Sequence, residues 1–149
     1  MNKMEKIALF AGTFDPYTKG HHSLVLRALS IFDKVVVAVG KNMGKNSLFT
    51  PDERVAQIEK VYGNEPRVSV AMYDGLTVDY ARSVGASALL RGVRSVKDFE
   101  YERDLADVNM RIGGVETVIL VSAPEFSAVS SSLVRELMAY NKDVKDFLP

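Results

Sequence analysis

Ile7-Ala8-Leu9-Phe10-Ala11 runs straight into Gly12-Thr13-Phe14-Asp15-Pro16-Tyr17-Thr18-Lys19-Gly20-His21. The first five residues are apolar throughout, as in a strand covered on both faces. Gly12 permits a close backbone approach and Pro16 stiffens the chain beyond it, so the strand is expected to end in a tight turn. A helix should then open at Gly20-His21, with Gly20 leaving room for a ligand at its start. This brings the Thr13 hydroxyl, the His21 imidazole and a helix N-terminus to the carboxyl end of one strand. Free N–H groups and the positive helix end attract anions there, which suits phosphate chemistry. The plainer reading is a connection with an incidental histidine; the full string, with Thr13 eight residues before His21, argues against it. His22 points about 100° away around the helix and reads as a packing or surface residue.

Four more apolar runs follow: Val35 to Val39, Val68 to Ala71, Ala88 to Leu90 and Val118 to Val121. All are nearly continuous rather than alternating, which favours a parallel sheet. Helical stripes lie between them: Val25, Leu29 and Phe32; Val55, Ile58 and Tyr62; Leu76, Tyr80 and Val84; Tyr101, Leu105, Val108 and Ile112; and Leu133, Leu137 and Tyr140. Thr50-Pro51-Asp52-Glu53 reads as a capping box with proline at the first helical position. Gly63 and Pro66 bracket the exit of that helix. Strand alternating with helix predicts a doubly wound α/β fold with five parallel strands, 1–149 forming one domain. Ligands of such folds bind at the carboxyl ends of strands, so the polar loop 41–49 lies on the functional side. The polar tail 142–149 is expected to pack loosely.

The 149 residues carry 19 Lys plus Arg and 19 Asp plus Glu. Zero net charge argues against a broad nucleic-acid or polybasic membrane surface, though a local anion site needs only a few placed cations. With no cysteine, disulfides, thiolate catalysis and thiolate metal sites drop out. The two histidines lack neighbouring carboxylates and make a poor metal site. No apolar run approaches the roughly 20 residues of a membrane span, and no signal-peptide stretch follows the first residues. A soluble, unexported, cytoplasmic protein is expected.

Leu89-Leu90-Arg91-Gly92-Val93-Arg94 sends two arginines from the end of a buried strand. Each can fork two donors onto a phosphate, and the glycine between them favours a functional reading. The charges beyond them, including the i,i+4 pair Asp107 and Arg111, read as a solvated face. After the fifth strand, Ser122-Ala123-Pro124-Glu125-Phe126-Ser127-Ala128-Val129 leads into Ser130-Ser131-Ser132. Helix capping needs one serine; three in a row offer hydroxyls and N–H groups together, which suits a triphosphate.

These three segments resemble the nucleotidylyltransferase superfamily, and within it the bacterial-type phosphopantetheine adenylyltransferase family. The resemblance covers nearly the whole chain. Gly12 to Pro16 and Thr18 to His21 match the first motif, and Lys45 with Phe49-Thr50 matches a lysine loop. Arg91-Gly92-Val93-Arg94 running into Asp98-Phe99-Glu100-Tyr101-Glu102 matches the segment that distinguishes this family. Val129-Ser130-Ser131-Ser132 matches the serine motif. Ala11, Ser122, Phe126 and Val129 depart from the usual residues, and none of them removes a charged group.

The resemblance implies transfer of an adenylyl group from ATP to 4′-phosphopantetheine, releasing pyrophosphate. It implies catalytic roles for His21, Thr13, Lys45 and Arg91. ATP-binding positions are Thr13, Phe14, His21, Gly92, Val93, Arg94, Glu102, Phe126, Ser127, Ala128, Val129 and Ser130 to Ser132. Acceptor-binding positions are Thr13, Lys45, Thr77 and Arg91. Magnesium would be carried by ATP, the assembly would be a homohexamer, and coenzyme A would be a feedback ligand. Two other readings stand beside it: a related nucleotidylyltransferase with another phosphate-bearing acceptor, and a non-catalytic nucleotide-binding module. A dinucleotide-dependent dehydrogenase lacks support, because no Gly-x-Gly-x-x-Gly follows the first strand.

Overall fold

A computed structural model of the chain describes residues 4–41 and 46–149. The elements in order are β1 (Ile7–Gly12), α1 (Lys19–Ala28), β2 (Lys34–Gly40), α2 (Pro51–Val61), β3 (Val68–Tyr73), α3 (Thr77–Ser83), β4 (Ala88–Val93), α4 (Val96–Gly113), β5 (Glu116–Val121) and α5 (Ser131–Ala139). Short 3₁₀ turns cover Pro124–Phe126 and Lys145–Phe147. The five strands form one sheet in the order β3-β2-β1-β4-β5, and every pairing is parallel. The chain winds from β1 out to β3, then returns to place β4 on the other side of β1. The order therefore reverses between β1 and β4, where the carboxyl ends of such a sheet leave a crevice.

Both faces of β1 are buried, which explains its unbroken apolar run. Ala8 and Phe10 pack with Val25 of α1 and Ile58 of α2 on one side. Leu9 and Ala11 pack with Val78 and Ala81 of α3 on the other. The α2 start has the expected capping box: Thr50 Oγ1 accepts from the Glu53 N–H, and Glu53 accepts from the Thr50 N–H.

Several details depart from the sequence reading. β4 does not end at Leu90: its register with β5 continues through Arg91↔Ile119, Gly92↔Leu120 and Val93↔Val121. Arg91 is thus a strand residue with a defined direction rather than the start of a loop. In α3 the inward residues are Val78 and Ala81, while Leu76 is 60% exposed. The long stripe on α4 is not core either: Tyr101, Val108 and Ile112 are exposed, and Glu102 is the buried residue of that helix. The cause is position: α4 lies against β4, β5 and α3 at the end of the sheet, and among the described residues its outer face stays exposed. The tail is also less loose than expected: Leu148 and Pro149 line a surface cleft with Pro16 and Tyr17.

Candidate active site

The site begins with how α1 starts. Thr18, buried and extended, is the N-cap, and His21 is the third helical residue. Their side chains form a reciprocal capping box. The Thr18 hydroxyl accepts from the His21 N–H at 3.4 Å, and His21 Nδ1 accepts from the Thr18 N–H at 2.9 Å. Because Nδ1 receives a hydrogen bond, the neutral ring carries its proton on Nε2. The ring is wedged among aromatics. Tyr17 stacks on it with centroids 5.2 Å apart, and Phe14 meets it edge-on at 5.1 Å. Phe14 in turn lies over Gly12, where an added Cβ would come within 3.0 Å of the ring.

Burial, and behind it the positive charges of Arg91 and Arg94, lowers the His21 pKa to about 4. At neutral pH the imidazole is an uncharged donor with one fixed tautomer. The unfolded ring titrates near 6.5, so between about pH 4 and 6.5 the unfolded chain binds more protons than the folded one. Stability is therefore complete above that window and falls as the pH drops through it. Urea denaturation at pH 5 and pH 7 should show a smaller difference for His21→Gln than for the wild type. An equal difference contradicts the depressed titration.

His21 faces a cleft of about 330 Å³ at the β1–β4 reversal. Thr13, Phe14, Gly20, Arg91, Gly92 and Arg94 line it together with Phe126, Val129 and Ser130 to Ser132. Gly92 has a packing reason as well: a Cβ there would run into Leu24 of α1 at 2.3 Å. The serines are already engaged in the fold. Ser130 caps α5 by accepting from the Leu133 N–H, Ser131 donates to the Pro16 carbonyl, and Ser132 accepts from Arg135. The N–H groups of Ser131 and Ser132 open α5 and have no acceptor within the helix. The N-termini of α1 and α5 thus meet at one cleft, a doubled anion-attracting end.

Arg91 is spoken for on one side. Its Nε and Nη2 hold both oxygens of Glu102 at 2.8 and 2.7 Å, and Nη1 donates to the Ala11 carbonyl at 2.9 Å. Burial works against its charge, but the hydrogen bonds and charge of Glu102 outweigh it and raise the guanidinium pKa above its ordinary value. The fork expected to clasp a phosphate therefore clasps Glu102, which leaves the remaining N–H bonds for a ligand. Arg91 also borders a second cleft of about 270 Å³. That cleft is lined mainly by apolar residues of β1, β4, α3 and α4, with Thr77, Tyr101, Glu102 and Asn109 among them. Arg91 and Ala11 belong to both clefts.

Of the residues singled out in the sequence, most converge on the first cleft, while Thr77 and Glu102 lie on the second. Val93 is buried in β4, and Ser127 and Ala128 are exposed beyond the cleft lining. Lys45 lies outside the described residues. His22 packs as expected, with Nδ1 3.0 Å from the Tyr62 hydroxyl. Asp107 and Arg111 pair on the surface at 2.9 Å. Three supports had no role assigned from sequence: Thr18 behind His21, Arg135 on the Asp15 carbonyl at 2.7 Å, and the buried side chains of Asp15 and Arg54, each bonded to backbone. The spacing Thr18-x-x-His21 was the available signal for the first. Among the described residues, no group of three or more His, Cys, Asp or Glu side chains could hold a metal ion, and no helix is long and apolar enough to cross a membrane.

Two helix N-termini, a neutral histidine donor and arginines at the reversal point of a doubly wound sheet make a cleft suited to a phosphate-bearing nucleotide. Comparison with known proteins agrees. The cytidylyltransferase-like family model matches residues 9–137. The chain is 51% identical over 142 residues to the phosphopantetheine adenylyltransferase of Bacteroides fragilis, covering 95% of both chains. It is 52% identical over 145 residues to that of Porphyromonas gingivalis, covering 97% of this chain and 95% of the relative. Among solved structures, a bifunctional NMN adenylyltransferase/ADP ribose pyrophosphatase from Francisella tularensis shares the fold at TM-score 0.72 and 15% identity, over 97% of this chain and 44% of that one. The chain belongs to the cytidylyltransferase-like family and, within it, to the phosphopantetheine adenylyltransferases.

Proposed function

We propose that this chain, acting as one domain over 1–149, transfers the adenylyl group of ATP to 4′-phosphopantetheine. The products are dephospho-coenzyme A and pyrophosphate, and the step belongs to coenzyme A biosynthesis. The observation that carries the reading is the pair of clefts meeting at Arg91, one framed by helix N-termini and the other largely apolar. The first suits a triphosphate and the second the pantetheine arm, with the reacting phosphates at their junction.

In this reading an oxygen of the acceptor phosphate attacks the α-phosphorus of ATP in line with the leaving group. The new O–P bond forms as the bond to the bridging oxygen of pyrophosphate breaks, and no protein nucleophile takes part. Positioning and charge stabilisation then supply the catalysis. Thr13 holds the attacking phosphate, while Lys45 and Arg91 offset repulsion between the two anions. His21 Nε2 donates to an α-phosphate oxygen as charge builds there. Arg94 and the N–H groups of Ser131 and Ser132 hold the β- and γ-phosphates. Phe14, Gly92, Phe126 and Val129 border the nucleotide, Glu102 aims Arg91, and Thr77 sits on the pantetheine side. Magnesium would come as part of the ATP substrate and offset part of the triphosphate charge.

Gly20 tests the nucleotide's place. A Cβ there would come no closer than 3.5 Å to any protein atom, Thr18 Oγ1 being nearest. Alanine also suits a helix better than glycine. Gly20→Ala should fold as well as the wild type and yet raise KM for ATP about 10-fold. An unchanged KM means the nucleotide does not approach the start of α1.

Assembly as a homohexamer is supported by the unpartnered apolar residues on α4 and at the β5 edge, among them Tyr101, Ile112 and Val121. Feedback by coenzyme A is supported by the pantetheine arm that it shares with the acceptor. A cytoplasmic location fits ATP as substrate. The reaction is tested by incubating the protein with magnesium, ATP and 4′-phosphopantetheine, with mass detection of product. Nicotinamide mononucleotide, and glycerol phosphate with CTP, serve as competing pairs. Dephospho-coenzyme A from the first mixture alone is expected; product from another pair, or from none, overturns the reading.

A further inference from the structure

Two buried charged side chains stand behind the site, and the reaction as described uses neither. Arg54 of α2 is 1% exposed and Asp15 of the first turn 2%. Placing such charges out of water is costly unless hydrogen bonds replace their hydration. Among the described residues Arg54 takes part in no ion pair. Its bonds go to two backbone carbonyls, Nη1 to Thr13 at 2.6 Å and Nε to Phe49 at 3.1 Å. Asp15 mirrors it: its two carboxylate oxygens accept from the N–H groups of Leu48 at 2.7 Å and Phe49 at 2.9 Å. All four bonds therefore tie one segment, Leu48–Phe49, to one turn, Thr13–Asp15. A neutral side chain could fill the same space, but only a rigid fork spans two carbonyls from one anchor.

We propose that Arg54, with Asp15, is a positioning residue that sets Thr13 against the returning segment 48–49. It thereby places the Thr13 hydroxyl for the acceptor phosphate, and so rests on the reaction proposed above. Nothing in Arg54 touches the reacting atoms. Its influence runs through the Thr13 backbone, and misplacement of a reacting group by about 1 Å can cost on the order of 10²-fold in rate.

The test is a double-mutant cycle on kcat with Arg54→Lys and Thr13→Val, each protein being checked for a cooperative melt. Wild-type turnover of ATP and 4′-phosphopantetheine in the same assay shows whether the underlying reaction is right, separately from this proposal. Lysine keeps the charge and can reach one carbonyl but not both. Arg54→Lys should melt as a folded protein, keep KM for ATP close to the wild-type value and lose about 10- to 100-fold in kcat. In the Thr13→Val background, the same change should cost no more than about 2-fold further, because the group it positions is gone. A folded Arg54→Lys enzyme with wild-type kcat overturns the proposal, and so does a loss that multiplies in full with that of Thr13→Val. If Arg54→Lys does not fold, the cycle is run with Asp15→Asn, which keeps the shape and removes the charge, and the same two outcomes decide. Failure of both variants to fold also overturns it, since the pair would then serve the fold and not the placement of Thr13.

Discussion

The His21→Ala enzyme is expected to fold normally and to turn over at least about 10²-fold more slowly than the wild type, the scale of losing one preorganised donor. The size of the effect reflects how completely the ring is arranged in advance. Thr18 fixes its tautomer, Tyr17 and Phe14 fix its plane, and burial keeps it neutral. Nothing has to reorganise when negative charge builds on the α-phosphate oxygen. The alanine enzyme also loses the bond to the Thr18 N–H, a cap contact worth about 1 kcal/mol, so a small fall in melting temperature is expected. The Thr18 hydroxyl still caps the His21 N–H, which keeps the helix start in place. Turnover near the wild-type rate would remove His21 from the chemistry.

Arg91→Ala should have the second large effect, on both activity and stability. Its side chain is 35% exposed, whereas the Glu102 side chain is 7% exposed. Removing the arginine leaves a nearly buried carboxylate without its partner. Breaking a fully buried pair costs about 3–5 kcal/mol; with one partner partly in water, about 1–3 kcal/mol is expected. The kcat/KM for 4′-phosphopantetheine should fall at least about 10²-fold, because the one cation bordering both clefts among the described residues is gone. Glu102→Ala makes a useful contrast. It frees Arg91 to turn toward water, so stability should fall less, while KM for the acceptor still rises because the guanidinium has lost its direction. If Arg91→Ala weakens only ATP binding, the two anions have been assigned to the wrong clefts.

The fold was legible because its signals are local. A strand buried on both faces must be apolar at every position, and the run Ile7 to Ala11 is. The box at Thr50 to Glu53 announces its own helix. The site was legible for the same reason, since Gly12 to His21 carries its geometry within one turn. What was hidden depends on partners far away in the chain. The α4 stripe has the right period for a core helix, but periodicity does not say whether anything lies beyond it, and at the sheet edge nothing does. Arg91 looked like a free fork because Glu102 is eleven residues on and joins it only through the β4–α4 crossing. Arg54 sits inside a strongly charged helix start, where nothing local marks it as buried. Only the return of Leu48–Phe49 to the first turn shows that its place is inside. The three serines fit both readings: their hydroxyls serve the fold, and the N–H groups of Ser131 and Ser132 have no acceptor within the helix.

The central claim is that two ligands lie in adjoining clefts and are joined at Arg91. Equilibrium displacement tests this most directly, using a non-hydrolysable ATP analogue and 4′-phosphopantetheine as separate probes. Both probes should occupy the protein together, and dephospho-coenzyme A, which spans both clefts, should expel each of them. Displacement of only one probe by dephospho-coenzyme A, or mutual exclusion of the two probes, would contradict the account.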